Sequence, residues 1–177
     1  MLVTRILPIY LSTNEILRQP ATPITEITEE IVEFIPNLIA TKEAVGGIGL
    51  AANQVGKNFS IICVGLQTNF VFINPKIIEK SDETFDSEEM CLSIPGVKVT
   101  VPRHKYVKIK YQNIFMEEEE FDSEDSLLLS ACLQHEIDHL YGILITDNAP
   151  EEQLKEQSKL LSRINKKHIT TKYLSIS

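Results

Sequence analysis

Leu133-Gln134-His135-Glu136-Ile137-Asp138-His139-Leu140, near the C-terminal end of a 177-residue chain, decides how the rest is read. His135 and His139 are separated by one helical turn, so a helix stacks both imidazoles on one face, close enough to share a metal ion. Glu136 lies one step round from His135, where a carboxylate can reach a water beside that metal without ligating it. The competing reading is a surface helix with two solvated histidines, and the residues upstream bear on it. Leu128, Cys132, His135 and His139 fall on one face, so the pair is expected to extend a buried apolar stripe. The helix is expected to start at Asp122 or Ser123 and to end near Gly142.

Working outward, the chain is long enough for one domain with a real core. It is 43% hydrophobic and 24% charged, ordinary values for a soluble globular protein. No run approaches the roughly 18 apolar residues of a membrane helix, and residues 1–8 do not read as a signal peptide. Three cysteines (Cys63, Cys91, Cys132) at irregular spacing argue against a disulfide scaffold and for a reducing, cytoplasmic setting. A net charge of −8 argues against general binding to DNA.

Residues 1–23 read as extended and proline-punctuated, and residues 25–44 as a helix capped by Thr25 or Thr28. Apolar residues from Ile27 to Ile39 recur there at helical spacing, although Pro36 should kink or divide it. Four glycines between Gly46 and Gly56 look neither helical nor strand-like, and they allow another backbone to approach closely. Residues 59–66 and 70–79 read as strands, the second interrupted at Asn74-Pro75. An acidic segment, 79–89, leads to Cys91. Alternation at Val97, Val99 and Val101, and at Val107, Ile109 and Tyr111, marks half-buried antiparallel strands, and residues 115–121 read as an edge strand or loop. Pro150 opens a charged helix over 150–167 with Leu154, Leu161 and Ile164 inward, followed by a flexible tail over 168–177. The expected architecture is α+β: antiparallel sheets packed around a central helix that carries His135 and His139, with further helices at each end.

Two histidines leave a catalytic metal one protein ligand short. The downstream candidates, His168 and Glu151, Glu152 or Glu156, lie in a tail or on a charged helix. Cys91, between the acidic segment and an Ile-Pro-Gly turn, is the upstream candidate, although a free cysteine is more often a small buried hydrophobe.

Three segments in order resemble the peptide deformylases: Gly47-Ile48-Gly49-Leu50-Ala51-Ala52-Asn53-Gln54, Glu89-Met90-Cys91-Leu92-Ser93, and Gln134-His135-Glu136-Ile137-Asp138-His139-Leu140. The resemblance runs from about residue 5 to 167. It implies removal of the formyl group from N-formylmethionyl peptides and nascent chains. It also implies Cys91, His135 and His139 as ligands of one divalent metal, usually Fe2+ and replaceable by Zn2+, Ni2+ or Co2+. Glu136 is implied as the proton carrier, with the Gln54 side chain and the Leu92 backbone N–H as oxyanion donors. Gly47 and Gly49 would let the peptide pair as an added strand, with its methionine against Ile48, Leu128, Ala131 and Cys132. Glu89 and Asp138 are expected to join Arg103 in orienting the ligands. The basic tail (Lys155, Lys159, Arg163, Lys166, Lys167) resembles one through which deformylases approach the ribosome. The chain departs from the family at Met90, where glycine is usual. An ordinary extended backbone is expected there, with the cleft reshaped by the side chain. Another metallohydrolase, such as an endopeptidase, and a structural metal site are the alternatives.

Overall fold

The computed structural model describes residues 4–65 and 67–164, together with the backbone of residues 169 and 170. The strands are β1 (Ile9–Tyr10), β2 (Gly49–Ala51), β3 (Ile61–Val64), β4 (Phe70–Lys80), β5 (Thr84–Cys91), β6 (Ile94–His104), β7 (Val107–Gln112), β8 (Glu118–Asp122) and β9 (Ile169–Thr170). The helices are α1 (Glu29–Ala44), α2 (Leu127–Leu140), α3 (Ile145–Asn148), α4 (Glu151–Glu156) and α5 (Ser158–Ile164). A five-stranded antiparallel sheet runs in the order β2-β3-β4-β7-β8, β5 and β6 form a separate hairpin, and β1 pairs with β9.

The run Ile61-Ile62-Cys63-Val64 is buried on both faces, and this explains why it is continuously apolar instead of alternating. Ile61 and Cys63 pack with Ile31, Phe34, Ile35 and Leu38 of α1. Ile62 and Val64 pack with Leu133, Ile137 and Leu140 of α2. The sheet is therefore held between the two long helices. A further core lies inside the hairpin, where Val97, Val99 and Val101 of β6 meet Leu11, Leu17, Leu144, Ile145 and Ile164.

Several expected boundaries move, each for a local reason. Thr28 caps α1 through its hydroxyl, which accepts from the Ile31 N–H. Pro36 does not divide α1, and the helix is continuous. The proline removes the donor that would serve the Val32 carbonyl, and Val32 stands in solvent at 41% exposure, where water can replace it. Asn74-Pro75 is a bulge inside one strand: Asn74 takes φ 53° and its side chain bonds Ile24 on both sides and Gln112. The acidic segment runs from the end of β4 through a turn into β5, where Asp86 and Glu88 point outward and Glu89 inward. The glycine-rich stretch contains β2 and a single 3-10 turn, Ala52–Val55. The α2 helix begins later than expected, at Leu127, because the Ser126 hydroxyl accepts from Leu129 N–H. The basic helix expected over 150–167 is interrupted at Gln157 into α4 and α5, and the Gln157 side-chain amide bonds both the N–H and the carbonyl of Lys98. Leu154, Leu161 and Ile164 do face inward. The far end of that helix (165–167) and most of the expected tail lie outside the described residues, as does Leu66.

Gln134, with Ser130 beside it, fastens the α2 helix to the end of β6. Gln134 accepts from His104 N–H at 3.0 Å and donates to the His104 carbonyl at 2.9 Å. Gln134→Ala would leave the His104 N–H unpaired while its carbonyl keeps the Ser130 hydroxyl, costing about 1–2 kcal/mol and lowering Tm by about 2–8 °C. Thermal melts followed by circular dichroism check this.

Candidate active site

Hairpin β5–β6 and helix α2 meet with α2's two histidines facing the end of β5. Alternation on β5 sends Ser87, Glu89 and Cys91 inward and Asp86, Glu88 and Met90 outward. Cys91 Sγ lies 3.3 Å from His139 Nε2, and one donor atom from each of Cys91, His135 and His139 falls within 4.8 Å of the others. Soft thiolate plus two imidazoles is a donor set suited to a divalent transition metal, and it leaves a tetrahedral site one open position.

The ligating state of the histidines is set by their surroundings. Glu89 Oε2 lies 2.8 Å from His135 Nδ1. Burial alone would raise the Glu89 carboxyl, but hydrogen bonds from His135 and Arg103 hold it down to about 2. An ionised carboxylate only accepts, so Nδ1 carries the proton and Nε2 is the atom left for a metal. Burial would lower the His135 pKa, yet Cys91 and Glu89 outweigh it and hold it well above the histidine range. A proton thus competes with a cation at that nitrogen. Burial pushes His139 well below that range, so its ring is neutral.

Arg103 completes this arrangement. Its guanidinium grips Glu89 with two hydrogen bonds, 2.7 and 3.0 Å, and donates to Asp138 at 2.6 Å. Arg103 and Glu89 are almost fully buried. Of the two carboxylates expected beside Arg103, only Glu89 touches a histidine among the contacts described; Asp138 anchors the arginine to α2.

Glu136 sits on the adjoining flank of α2, buried, with Oε2 lacking a hydrogen-bond partner. Burial is the main reason its carboxyl is pushed up to about 7. The carboxylate packs on Gly49, where an added Cβ would fall 2.7 Å from its carboxyl carbon. This contact requires glycine. Gln54 is oriented by its neighbours: Oε1 accepts from Ala51 N–H at 2.9 Å, which turns Nε2 towards Cys91 Sγ (3.6 Å) and Ser93 Oγ (3.2 Å).

These groups open into a cavity of about 520 Å³ lined by Gly46, Gly47, Ile48 and Gly49 on one wall, Ser87 to Leu92 on another, and Leu128, Ala131, Cys132, His135 and Glu136 along α2. Every expected site residue borders it except His139, which lies beneath at 1% exposure. Leu128 corrects the expected buried stripe. It is 52% exposed, because this face of α2 forms a cleft wall and the core contacts are made by Leu133, Ile137 and Leu140. The free thiols divide by position. Burial pushes Cys63 up to about 12 and Cys132 well above the usual range, and Cys91 is the cysteine set against both histidines. Met90 has the extended backbone expected of it. Sequence reasoning missed Ser93, Gln134 and the exposed Glu88–Lys98 ion pair (2.6 Å) at the rim. Only Gln134 left a signal, as a polar residue amid the apolar positions of α2.

Residues 6–156 match the model of the polypeptide deformylase family. A peptide deformylase of Salinibacter ruber is 41% identical over 157 residues, 80% of each chain. One from Desulfitobacterium hafniense is 45% identical over 138 residues, 77% of this chain and 89% of its own. The crystal structure of a peptide deformylase from Synechococcus elongatus in complex with actinonin superposes with TM-score 0.82 at 34% identity, over 90% of this chain and 91% of that one. One from Legionella pneumophila gives TM-score 0.84 at 30% identity, over 92% and 96%. Matched along most of its length in both sequence and fold, this chain belongs to the polypeptide deformylase family.

Proposed function

We propose that the chain hydrolyses the N-formyl group of formylmethionyl peptides and nascent proteins, releasing formate. The observation that carries this reading is Glu136: a buried carboxylate with one unpartnered oxygen, held near neutrality, beside a cysteine–dihistidine donor set. Cys91, His135 and His139 would hold one divalent ion, Fe2+ in the cell, with Zn2+, Ni2+ or Co2+ able to stand in. When bound, the ion supplies Lewis acidity towards water and the formyl oxygen. Glu136 takes a proton from the attacking water as its oxygen adds to the formyl carbon. It then delivers that proton to the amine as the C–N bond breaks. Gln54 Nε2 and the Leu92 backbone N–H receive the oxyanion.

The substrate fits between two strand edges. Among the described residues β2 is an end strand of its sheet and β5 pairs with β6 alone, so an edge of each borders the cleft. A peptide entering as an extended segment pairs there, with Gly47 and Gly49 admitting its backbone and the methionine side chain against Ile48, Leu128, Ala131 and Cys132. An endopeptidase is less well served, because the third donor beside the two histidines is Cys91, with Gln54 next to it, where endopeptidases with this histidine pair usually recruit a downstream His or Glu. The cytoplasm suits three unpaired cysteines. Lys155, Lys159 and Arg163 are exposed on α4 and α5 and would meet rRNA phosphates near the peptide exit; Lys166 and Lys167 lie outside the described residues.

Glu136→Gln is expected to lower formate release from formyl-Met-Ala-Ser by about 10²–10⁴-fold while metal content by atomic emission is retained, whereas Cys91→Ala loses the metal. Activity surviving in Glu136→Gln would overturn the mechanism. Arg103→Ala leaves Glu89 buried without its cation, costing about 3–5 kcal/mol by chemical denaturation and weakening metal affinity by about 10–100-fold in chelator competition. Deleting residues 151–177 is expected to reduce co-sedimentation with ribosomes; unchanged pelleting would remove the ribosomal contact.

A further inference from the structure

We propose that Met90 selects the second residue of the substrate, the one that follows formylmethionine. This rests on the deformylase reading and extends it to a position that reading leaves unassigned. The geometry begins with β5. Glu89 and Cys91 point inward, so Met90 points to the opposite face, at 66% exposure, and borders the cleft. A thioether so exposed is unusual on a strand end next to a buried site, because large apolar side chains gain by burial.

An extended peptide lying along the β5 edge alternates its side chains as β5 does. Its first side chain, methionine, is directed to the α2 wall. The second is therefore directed to the opposite, outward face, where Met90 stands. Gly46 and Gly47 border the same cavity and offer no side chain, and with Leu92 and Pro95 also in its lining the exposed Met90 adds flexible apolar bulk at the rim. Its cross-strand partner is Lys98, and Lys98 is paired with Glu88 at 2.6 Å. That ion pair is mutually neutralised, so it adds little net attraction for a charged second residue. A flexible thioether beside it favours apolar side chains of varied shape.

The test is a series of formyl-Met-X-Ser peptides with X as Leu, Ala, Asp and Lys, read as kcat/KM from formate release. Wild type is expected to favour Leu over Asp by about fivefold, less than a closed apolar pocket gives because the position is half open to water. Met90→Gly should bring that ratio close to one, and Met90→Leu should keep it. Met90→Lys should invert it, favouring Asp. A Leu/Asp ratio unchanged in both the glycine and the lysine variants overturns the proposal. If Met90→Gly is too unstable to assay, the lysine variant decides by inversion or its absence. Formate release from no peptide, even by metal-loaded wild type, would instead defeat the underlying deformylase reading.

Discussion

The buried hydrogen-bond chain from Arg103 through Glu89 to His135 is the constraint on which the site depends. Cys91 belongs to hairpin β5–β6 and the histidines belong to α2, so the three donors converge only if hairpin and helix dock in one register. A slip of β5 by one residue would turn Glu89 and Cys91 outward and bring Met90 in, since side chains alternate with a period of two. Apolar packing alone tolerates such errors better than ionic contacts do. Replacing buried ion pairs by hydrocarbon is often neutral or stabilising, so Arg103 is better understood as fixing position than as adding net stability. Glu89 joins these demands: it locks the tautomer of His135 and neutralises Arg103 with the same carboxylate.

The cleft follows from the way the sheets end. Exposed strand edges invite unwanted pairing, and most proteins blunt or cover them. Here β2 has only three residues and runs directly into a 3-10 turn whose Gln54 folds back on Ala51 N–H, so the open edge is short. The β5 edge is recessed beside α2. The short β2 edge and the end of β5 border one cavity with room for one extended chain, and the glycines keep that room free. Gly49 is the critical one, because any side chain there would collide with Glu136.

Much of this was legible in the sequence where the physics is local. The stretch from Leu133 to Leu140 announced, through its spacing, a helix with two histidines on one face, and the β-branched runs announced β3, β4, β6 and β7. What was not legible depended on partners distant in sequence. β5 read as an acidic segment because Asp86 and Glu88 point outward and the inward Ser87 and Glu89 are polar too, so no apolar alternation shows. Leu128 read as core because helical spacing cannot separate a face that meets protein from one that meets a cleft. The interruption at Gln157 left no signal in the sequence, and its side-chain amide bonds the Lys98 backbone, which lies 59 residues away. Pro36 read as a helix breaker, yet burial of Phe34, Ile35 and Leu38 outweighs one lost bond on a solvent-facing side.

The site also holds groups that folding alone does not satisfy. Glu136 Oε2 and His139 Nδ1 are buried without hydrogen-bond partners, and each such group costs about 1–3 kcal/mol. Lys42, at 1% exposure, is buried close behind, but its ammonium is engaged by the carbonyls of Gly47 and Gly65, so it steadies the glycine wall instead of pairing with Glu136. Its charge lowers the Glu136 pKa only as a lesser influence, and desolvation wins. A closer cation would have kept Glu136 ionised and a poorer carrier of protons near neutral pH. Lys42 therefore serves backbone geometry and leaves the Glu136 carboxylate without an ion pair among the described residues, a local loss of stability that suits the proton transfer proposed for it.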